Sequence, residues 1–477
     1  MLLGARLRLR RNASRRAPDG HKLPPYRCIP LDRGLPMTQG ISTQEALALA
    51  KSGNADAQYA LSSLLHQQGQ FGESLRWLRL AAAQQLAPAQ VTLATFLMDG
   101  RHTPRDCQQA AGLLEPLAAT EARANLLLSE LYGFAALGSG NLETGLRFLM
   151  AAARMGEAGA LRQLALLSVC HGRWDLVRPL LDAAGRRGDG AAAYALACCY
   201  LDGIGGVSEP ASALAICRSP VARTQYLGQR LEAALRKENP AAASVAGPPP
   251  QLSVDWMLLE QALPQLAADI QLPAPGTLCE APLIRKLPGV LHPLVLDALI
   301  NQAAPLVQRS QIVDARTGEA RADPMRTSSH VTLSPRQHDH VLEAIERCIS
   351  RVCGVPRTNS EFLQVLRYRP GEQYRLHVDY FNESGPGSQQ SMADGGQRAQ
   401  TVLTYLNDDY TGGSTSFPKL HLDIKGQRGD MLHFHNLDAD GLGHRDTLHA
   451  GLPVAAGEKW LLSQWVRSRS YPARVAW

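Results

Sequence analysis

Three His-x-Asp tripeptides interrupt the C-terminal half of the chain: His377-Val378-Asp379, His421-Leu422-Asp423 and His444-Arg445-Asp446. On a β-strand, residues i and i+2 point to the same face, so an imidazole and a carboxylate at that spacing can reach one metal ion. A third ligand must then come from another strand. The surrounding sequence supplies short β-type runs separated by Gly, Asn and Asp turns, namely Phe362 to Tyr368, Thr401 to Leu406, Asp430 to Phe434 and Trp460 to Val466. A fold that returns a late strand to the side of an early one must first pass through several strands of about 5 to 6 residues and their turns. The first tripeptide leaves that much chain before His449, whereas the other two leave too little before any later histidine. His377, Asp379 and His449 are therefore the candidate ligands. His433 and His435 alternate on one strand face, where they either line the interior or stand in solvent. His338 and His340 lie near a helix start, where i and i+2 do not share a face, and are expected to be exposed.

Two imidazoles and one carboxylate on one side of a metal form the facial triad that suits non-haem Fe(II), leaving open positions for a bidentate co-substrate and dioxygen. An α-keto acid that chelates through its carboxylate and ketone leaves its distal carboxylate in need of a buried cation. Lys459 follows His449 on the next expected strand, between Gly457 and the apolar run Trp460-Leu461-Leu462, and its ammonium can supply that charge. The hydroxyls of Tyr368 and Thr401 are placed to complete the anchoring.

The blocks Arg326-Thr327-Ser328-Ser329, LQVLRYRPGEQYRLHVDY (363–380), TVLTYL (401–406), GGSTSFP (412–418), GDMLHF (429–434) and LHAGLPVAAGEKWLLSQW (448–465) together carry a resemblance. Residues from about 280 to 477 resemble the catalytic domain of prolyl 4-hydroxylases, within the Fe(II)/2-oxoglutarate dioxygenases. The resemblance implies that His377, Asp379 and His449 bind iron. It further implies that Lys459, Tyr368 and Thr401 hold 2-oxoglutarate, and that Tyr374, Arg326 and Trp465 lie toward the substrate. The implied reaction hydroxylates a substrate carbon, most naturally a prolyl residue in a protein or peptide, with O2 consumed, succinate and CO2 released, and L-ascorbate as a rescuing reductant. Two departures stand out: Ser414 where the family usually has Glu, and a long Gly/Ser/Gln-rich stretch, Asn382 to Gln400, expected to close over substrate. Two other readings compete. One keeps the chemistry on a free amino acid or other small molecule; the other makes the chain a protein-binding scaffold with an inert oxygenase domain.

The rest of the chain must position these groups. Ser334 and Pro335 begin, and Gly354 ends, an expected helix from Pro335 to Cys353, and a shorter helix is expected from Asp255 to Ile270. In the N-terminal half, Ala57-Gln58-Tyr59-Ala60-Leu61 recurs as Ala192-Ala193-Tyr194-Ala195-Leu196, with weaker copies near Ala89, Ala124 and Ala160. Alanine clusters end the second helix of each copy, and Gly69, Gly100, Gly140, Gly172 and Gly203 fall between helices. This period marks an α-solenoid of helix pairs, and it resembles the tetratricopeptide class in its Sel-one-like branch. The expected fold is thus multidomain: an N-terminal α-solenoid, then a double-stranded β-helix, or jelly roll, with flanking helices. The expected divisions are an Arg-rich leader at 1–41, repeats at 42–235, a Pro/Ala-rich linker at 236–254 and the dioxygenase domain at 255–477.

Composition limits the partners. The whole surplus of the net charge of +6 sits in residues 1–36, so no folded region carries the basic excess of a nucleic-acid binder. No stretch approaches the about 20 apolar residues of a membrane span. The nine cysteines show no Cys-x-x-Cys spacing and read as reduced thiols of a cytoplasmic protein. The expected partner is a protein or peptide substrate docked by the repeats.

Overall fold

The computed structural model describes residues 43–134, 140–238, 249–310, 312–313, 320–321, 324–382 and 386–472. The leader expected at 1–41 and much of the expected linker lie outside the described residues. The chain divides into two compact units, one ending at Ala160 and the other beginning at Leu161.

In the first unit the alanine-rich repeat becomes helix pairs: α1 (Thr43–Lys51), α2 (Ala55–Gln67), α3 (Phe71–Ala83), α4 (Ala87–Asp99), α5 (Cys107–Leu114), α6 (Ala122–Gly133) and α7 (Leu142–Arg154). The recurring Ala57, Ala89 and Ala124 are all buried, as are Ala81, Ala82, Ala110, Ala111, Ala152 and Ala153 on the second helices. Small side chains there let backbones approach closely. The tightest approach joins α6 to α7: a Cβ on Gly145 would sit 2.6 Å from Gly133 Cα and 2.8 Å from Ser129 O. The helix starts are capped by local chemistry, since Asn54 and Asn141 each accept a backbone N–H three residues ahead.

The second unit contains α8 (Ala158–Cys170) from Leu161 onward, followed by α9 (Trp174–Arg186), α10 (Gly190–Asp202), α11 (Pro210–Cys217), α12 (Pro220–Arg223), α13 (Tyr226–Glu238), α14 (Trp256–Leu266), α15 (Pro293–Ala303), α16 (His340–Cys353) and α17 (Pro386–Ala393). Its strands are β1 (Gly276–Glu280), β2 (Leu283–Leu287), β3 (Gln308–Arg309), β4 (Ile312–Val313), β5 (Ala320–Arg321), β6 (Ser329–Thr332), β7 (Gln364–Tyr368), β8 (Tyr374–His377), β9 (Arg398–Tyr405), β10 (Thr411–Gly412), β11 (Thr415–Phe417), β12 (Leu422–Ile424), β13 (Met431–His435), β14 (His449–Gly451), β15 (Val454–Ala456) and β16 (Lys459–Arg467). The last repeats therefore group with the strand-rich domain. Gln163 on α8 accepts the His340 N–H at 3.1 Å, Tyr194 on α10 donates to Asp297 on α15 at 2.8 Å, and Asn301 on α15 accepts the Leu227 N–H of α13 at 2.9 Å. Even the tail of the expected linker is held: Arg186 donates to Pro249 O and Asp182 accepts from Leu252 N.

Twelve of the strands form two facing antiparallel sheets, while β10 pairs with β15 and β4 with β5 as separate two-stranded ribbons. One has eight strands in the order β1-β2-β13-β9-β16-β7-β6-β3, and the other four in the order β12-β11-β14-β8. Alternation sends one face of the large sheet toward the small one, and Ile284, Leu366, Leu403, Phe417, Leu432, Phe434, Val454 and Leu461 form a shared apolar core. The opposite face of the large sheet meets α16, where Arg285 and Gln400 donate to the carbonyls of Val352 and Cys353 that end the helix.

The expected helix from Pro335 is corrected. A 3-10 turn occupies Pro335–Gln337, and the α-helix begins at His340 because Asp339 caps it, accepting from Val341 N and Leu342 N at 3.0 Å each. His338 and His340 are corrected too. His340 is buried, which pushes its pKa down to about 3, and His338 bonds Glu343 at 3.0 Å. The helix packs its N-terminal turn into the interior, so His340 has no solvent to face and His338 is half-buried against Glu343.

Candidate active site

β8 ends on His377 and pairs with β14, so that His377 and His449 are direct cross-strand partners. Partners directly opposite on antiparallel strands share a face. Their rings lie 4.2 Å apart, centroid to centroid. Asp379, two residues past His377, turns back between them: its Oδ1 is 3.6 Å from His377 Nε2 and its Oδ2 is 3.8 Å from His449 Nε2. The three ligand atoms fall within 4.8 Å of one another, and Asp379 and His449 are buried.

Backbone carbonyls orient both imidazoles. His377 Nδ1 meets Arg375 O at 2.7 Å and His449 Nδ1 meets Thr447 O at 2.9 Å. A carbonyl can only accept, so each Nδ1 carries the proton and each Nε2 presents its lone pair toward Asp379. Burial and the neighbouring His449 push the His377 pKa down to about 3, which keeps the ring neutral. Burial alone would raise the Asp379 carboxyl, but the two imidazoles and the Thr401 hydroxyl outweigh it and hold the group below its ordinary value. Two neutral nitrogens and one carboxylate converging from one side fit the donor set of Fe(II). His449 also sits in an aromatic corner, 5.3 Å from Phe417 and 5.1 Å from Phe434.

The pocket continues along β16. Lys459 pairs with Tyr368 across the β7 and β16 strands, is buried, and donates from Nζ to Gly413 O at 2.6 Å. No carboxylate of the described residues lies within ion-pair distance of it, and burial pushes its pKa down to about 7. Gly413 has φ +67°, and a Cβ there would press on Val454, Tyr410 and Lys459 Cδ at 3.1 to 3.4 Å. Only glycine leaves room for the lysine stem to lie flat. The rings of Tyr368 and Tyr405 stand 5.6 and 5.7 Å from Nζ. Gly451 links the two ends of the pocket: a Cβ there would touch Tyr368 Oη and Tyr374 Cβ, each at 3.8 Å, and Tyr374 stacks on His377.

The remaining expected site residues divide. Arg326 lies 5.1 Å over Tyr374, beside the histidine pair. Trp465 is covered by the Arg398 guanidinium at 3.6 Å, and shares the inner face with its partner Thr401. Thr401 does not reach the lysine. Its Oγ1 donates to Asp379 Oδ2 at 2.7 Å and accepts from Asn436 Nδ2 at 2.9 Å. At about 3.3 Å per residue it stands roughly 13 Å along β9 from Tyr405, the residue of that strand nearest Lys459. It orients the candidate carboxylate ligand rather than the far end of a keto acid. His433 faces away from the site: period two places it opposite Phe434, where it is bonded to Gln400 at 2.6 Å and Arg285 at 3.1 Å. The residues not anticipated are Tyr405, Gly413, Asn436 and Ser328, the last bonded to Tyr368. Of these, Tyr405 was readable, since it lies four residues past Thr401 on one strand face.

The profile of the 2OG-Fe(II) oxygenase superfamily matches residues 363–467. Prolyl 4-hydroxylase 1 of Arabidopsis thaliana is 33% identical over 210 residues, which cover 41% of this chain and 72% of the relative. The viral collagen prolyl hydroxylase of Paramecium Bursaria Chlorella virus-1, solved with 2OG, is 29% identical, with a TM-score of 0.31, over 40% of this chain and 98% of that one. A Sel1 repeat protein from Oxalobacter formigenes is 17% identical, with a TM-score of 0.33, over 47% of this chain and 98% of that one. The chain belongs to the prolyl 4-hydroxylase family of the 2OG-Fe(II) oxygenase superfamily, and it is a dioxygenase.

Proposed function

We propose that the chain hydroxylates a prolyl residue in a protein or peptide, using Fe(II), 2-oxoglutarate and O2 and releasing succinate and CO2. The observation that carries this reading is that the same two facing sheets hold both a facial His-Asp-His donor set and a buried ammonium that has no carboxylate partner among the described residues. His377 Nε2, His449 Nε2 and an Asp379 oxygen would hold the metal, and Lys459 with Tyr368 would hold the distal carboxylate of 2-oxoglutarate. Bound together, the metal and the keto acid supply the oxidising power that places one atom of O2 into a substrate C–H bond.

The chain's own residues do the positioning. Arg375 O and Thr447 O keep each imidazole in the tautomer that offers Nε2. Asn436 fixes Thr401, which fixes Asp379. Phe417 and Phe434 keep water from the flank of His449, and Tyr374 covers the face of His377. Arg326 and Tyr374 border the candidate metal position, and Trp465 shares the inner face with Thr401; these three are assigned to the substrate side. The names of the relatives favour proline, and L-ascorbate is assigned as the reductant that restores oxidised iron. The helical repeats are assigned to docking of the protein substrate. Eight free cysteines among the described residues, and no described helix long and apolar enough to cross a membrane, favour the cytoplasm.

The test is incubation of the full chain with Fe(II), 2-oxoglutarate, O2 and proline-containing peptides. The expected result is a gain of one oxygen on proline with an equal amount of succinate. Succinate release with oxygen found on a free amino acid and never on a peptide would overturn the substrate assignment.

A further inference from the structure

Alternation along β16 places Lys459 on the inner face and its neighbours Glu458 and Trp460 toward the outside. On that outer side stands α13, the helix that follows the repeats. Tyr226, its first residue, donates to Glu458 Oε2, and Arg230, one turn on, pairs with the same oxygen at 3.2 Å. The Tyr226 ring meets the buried Trp460 edge to face at 5.7 Å. Arg369 approaches the other oxygen of Glu458 at 3.8 Å. The backbone between these contacts is pinned as well, because Asn407 donates to Glu458 O and accepts from Trp460 N, both at 2.7 Å. The helix start is itself tied to the catalytic core through Leu227 N and Asn301.

Both residues flanking Lys459 are therefore gripped from behind, and one tyrosine grips both. A long lysine side chain has several rotatable bonds, so the place of its ammonium depends on where its Cα is held. We infer that Tyr226 and Glu458 are positioning residues for Lys459, and that the last repeat-side helix is thereby part of the site for the distal carboxylate. This inference rests on the assignment of Lys459 to 2-oxoglutarate. It also means that removing residues before 240 would strip away the support behind the strand bearing Lys459 along with the repeats.

The experiment is calorimetric titration of full-length protein, loaded with Mn(II) to prevent turnover, with 2-oxoglutarate and separately with 2-oxobutyrate, which lacks the distal carboxylate. Lys459→Ala serves as the reference and is expected to weaken 2-oxoglutarate more than about tenfold. Tyr226→Phe, which keeps the ring on Trp460 and removes one O–H, and Glu458→Ala are expected to weaken it roughly threefold to tenfold. Neither should change the affinity for 2-oxobutyrate. Glu458→Gln, which can still accept from Tyr226, should recover part of the loss. In steady state the KM for 2-oxoglutarate should rise while kcat holds. Unchanged 2-oxoglutarate affinity in both Tyr226→Phe and Glu458→Ala, or an equal loss for the two keto acids, would overturn the inference while leaving the role of Lys459 intact. Unchanged affinity in Lys459→Ala would overturn both.

Discussion

Among the described residues, the helical unit that ends at Ala160 buries no charged side chain, while the unit that begins at Leu161 buries many. The first is filled with alanine and leucine, and its buried polar groups, Gln58, Asn125 and Ser129 among them, are neutral. The second buries Asp297, Glu343, Asp379, Lys459 and Arg467. Most of these are paired where they lie, as Asp297 is with Tyr194 and Arg428, and as Arg467 is with Glu361 at 2.7 Å. Asp379 and Lys459 differ. Each is buried beside groups that leave its charge only partly answered, and burying a charge is costly unless something completes it. Neutral close packing builds a scaffold; incompletely answered charge marks where a ligand belongs.

The largest effect that could break this contrast is at the candidate ligand. Asp379→Ala should lower succinate production more than about 100-fold and abolish Fe(II) binding. The thermal midpoint of the metal-free protein should stay close to its original value, because the lost carboxylate was a buried charge. A normal iron stoichiometry in this variant would dissolve the distinction between a paired and a waiting charge.

A smaller effect sharpens the contrast through pH. With its pKa near 7 in the pocket, Lys459 is already charged below that value and must take up a proton to meet a dianion above it. Affinity for 2-oxoglutarate should therefore be flat below pH 7 and fall by up to about tenfold per unit above it, with proton uptake visible as a buffer-dependent enthalpy. The same shift acts on stability with the opposite slope. The folded lysine binds fewer protons than the unfolded one between pH 7 and its ordinary value, so in the absence of ligand this group adds stability as pH rises through that window. Affinity that stays level from pH 7 to 9 would show that the ammonium is not what the co-substrate meets.

The smallest effect tests the neutral side. Gly145→Ala must push a methyl into Gly133 and Ser129 O, so it should destabilise the first unit by about 1 to 3 kcal/mol, read by denaturant unfolding. It should leave 2-oxoglutarate affinity unchanged. A parallel loss of affinity would show that the scaffold and the pocket do not divide as their interiors do.

Much of this arrangement could be read from residue order. The recurring alanines gave the helix pairs, because a small side chain every repeat makes sense only where two backbones meet. His-x-Asp followed by a distant His and a lone lysine in an apolar strand gave the candidate site, although the strand stops at His377 and a bend, rather than period two, brings Asp379 between the histidines. What escaped was anything that depends on which element lies across the way. Thr401 shares the inner face with Tyr405, but its distance from Lys459 along β9 is a matter of register, and register assigned it to Asp379. His433 has the alternation of an interior residue, yet the face it occupies belongs to α16. His340 reads as exposed at a helix start, and that start is packed inward under Gln163.

The sequence by itself determined most of the elements, the spacing of the candidate ligands and a lysine within an apolar strand, because propensity, alternation and small-residue periodicity act over a few residues. Tertiary structure alone decided that His377 and His449 stand opposite one another, that Thr401 serves the carboxylate, and that α13 backs the strand bearing Lys459. Each of those is a contact between distant segments. Its geometry follows from strand pairing and helix packing over the whole unit, which no local pattern of side chains encodes.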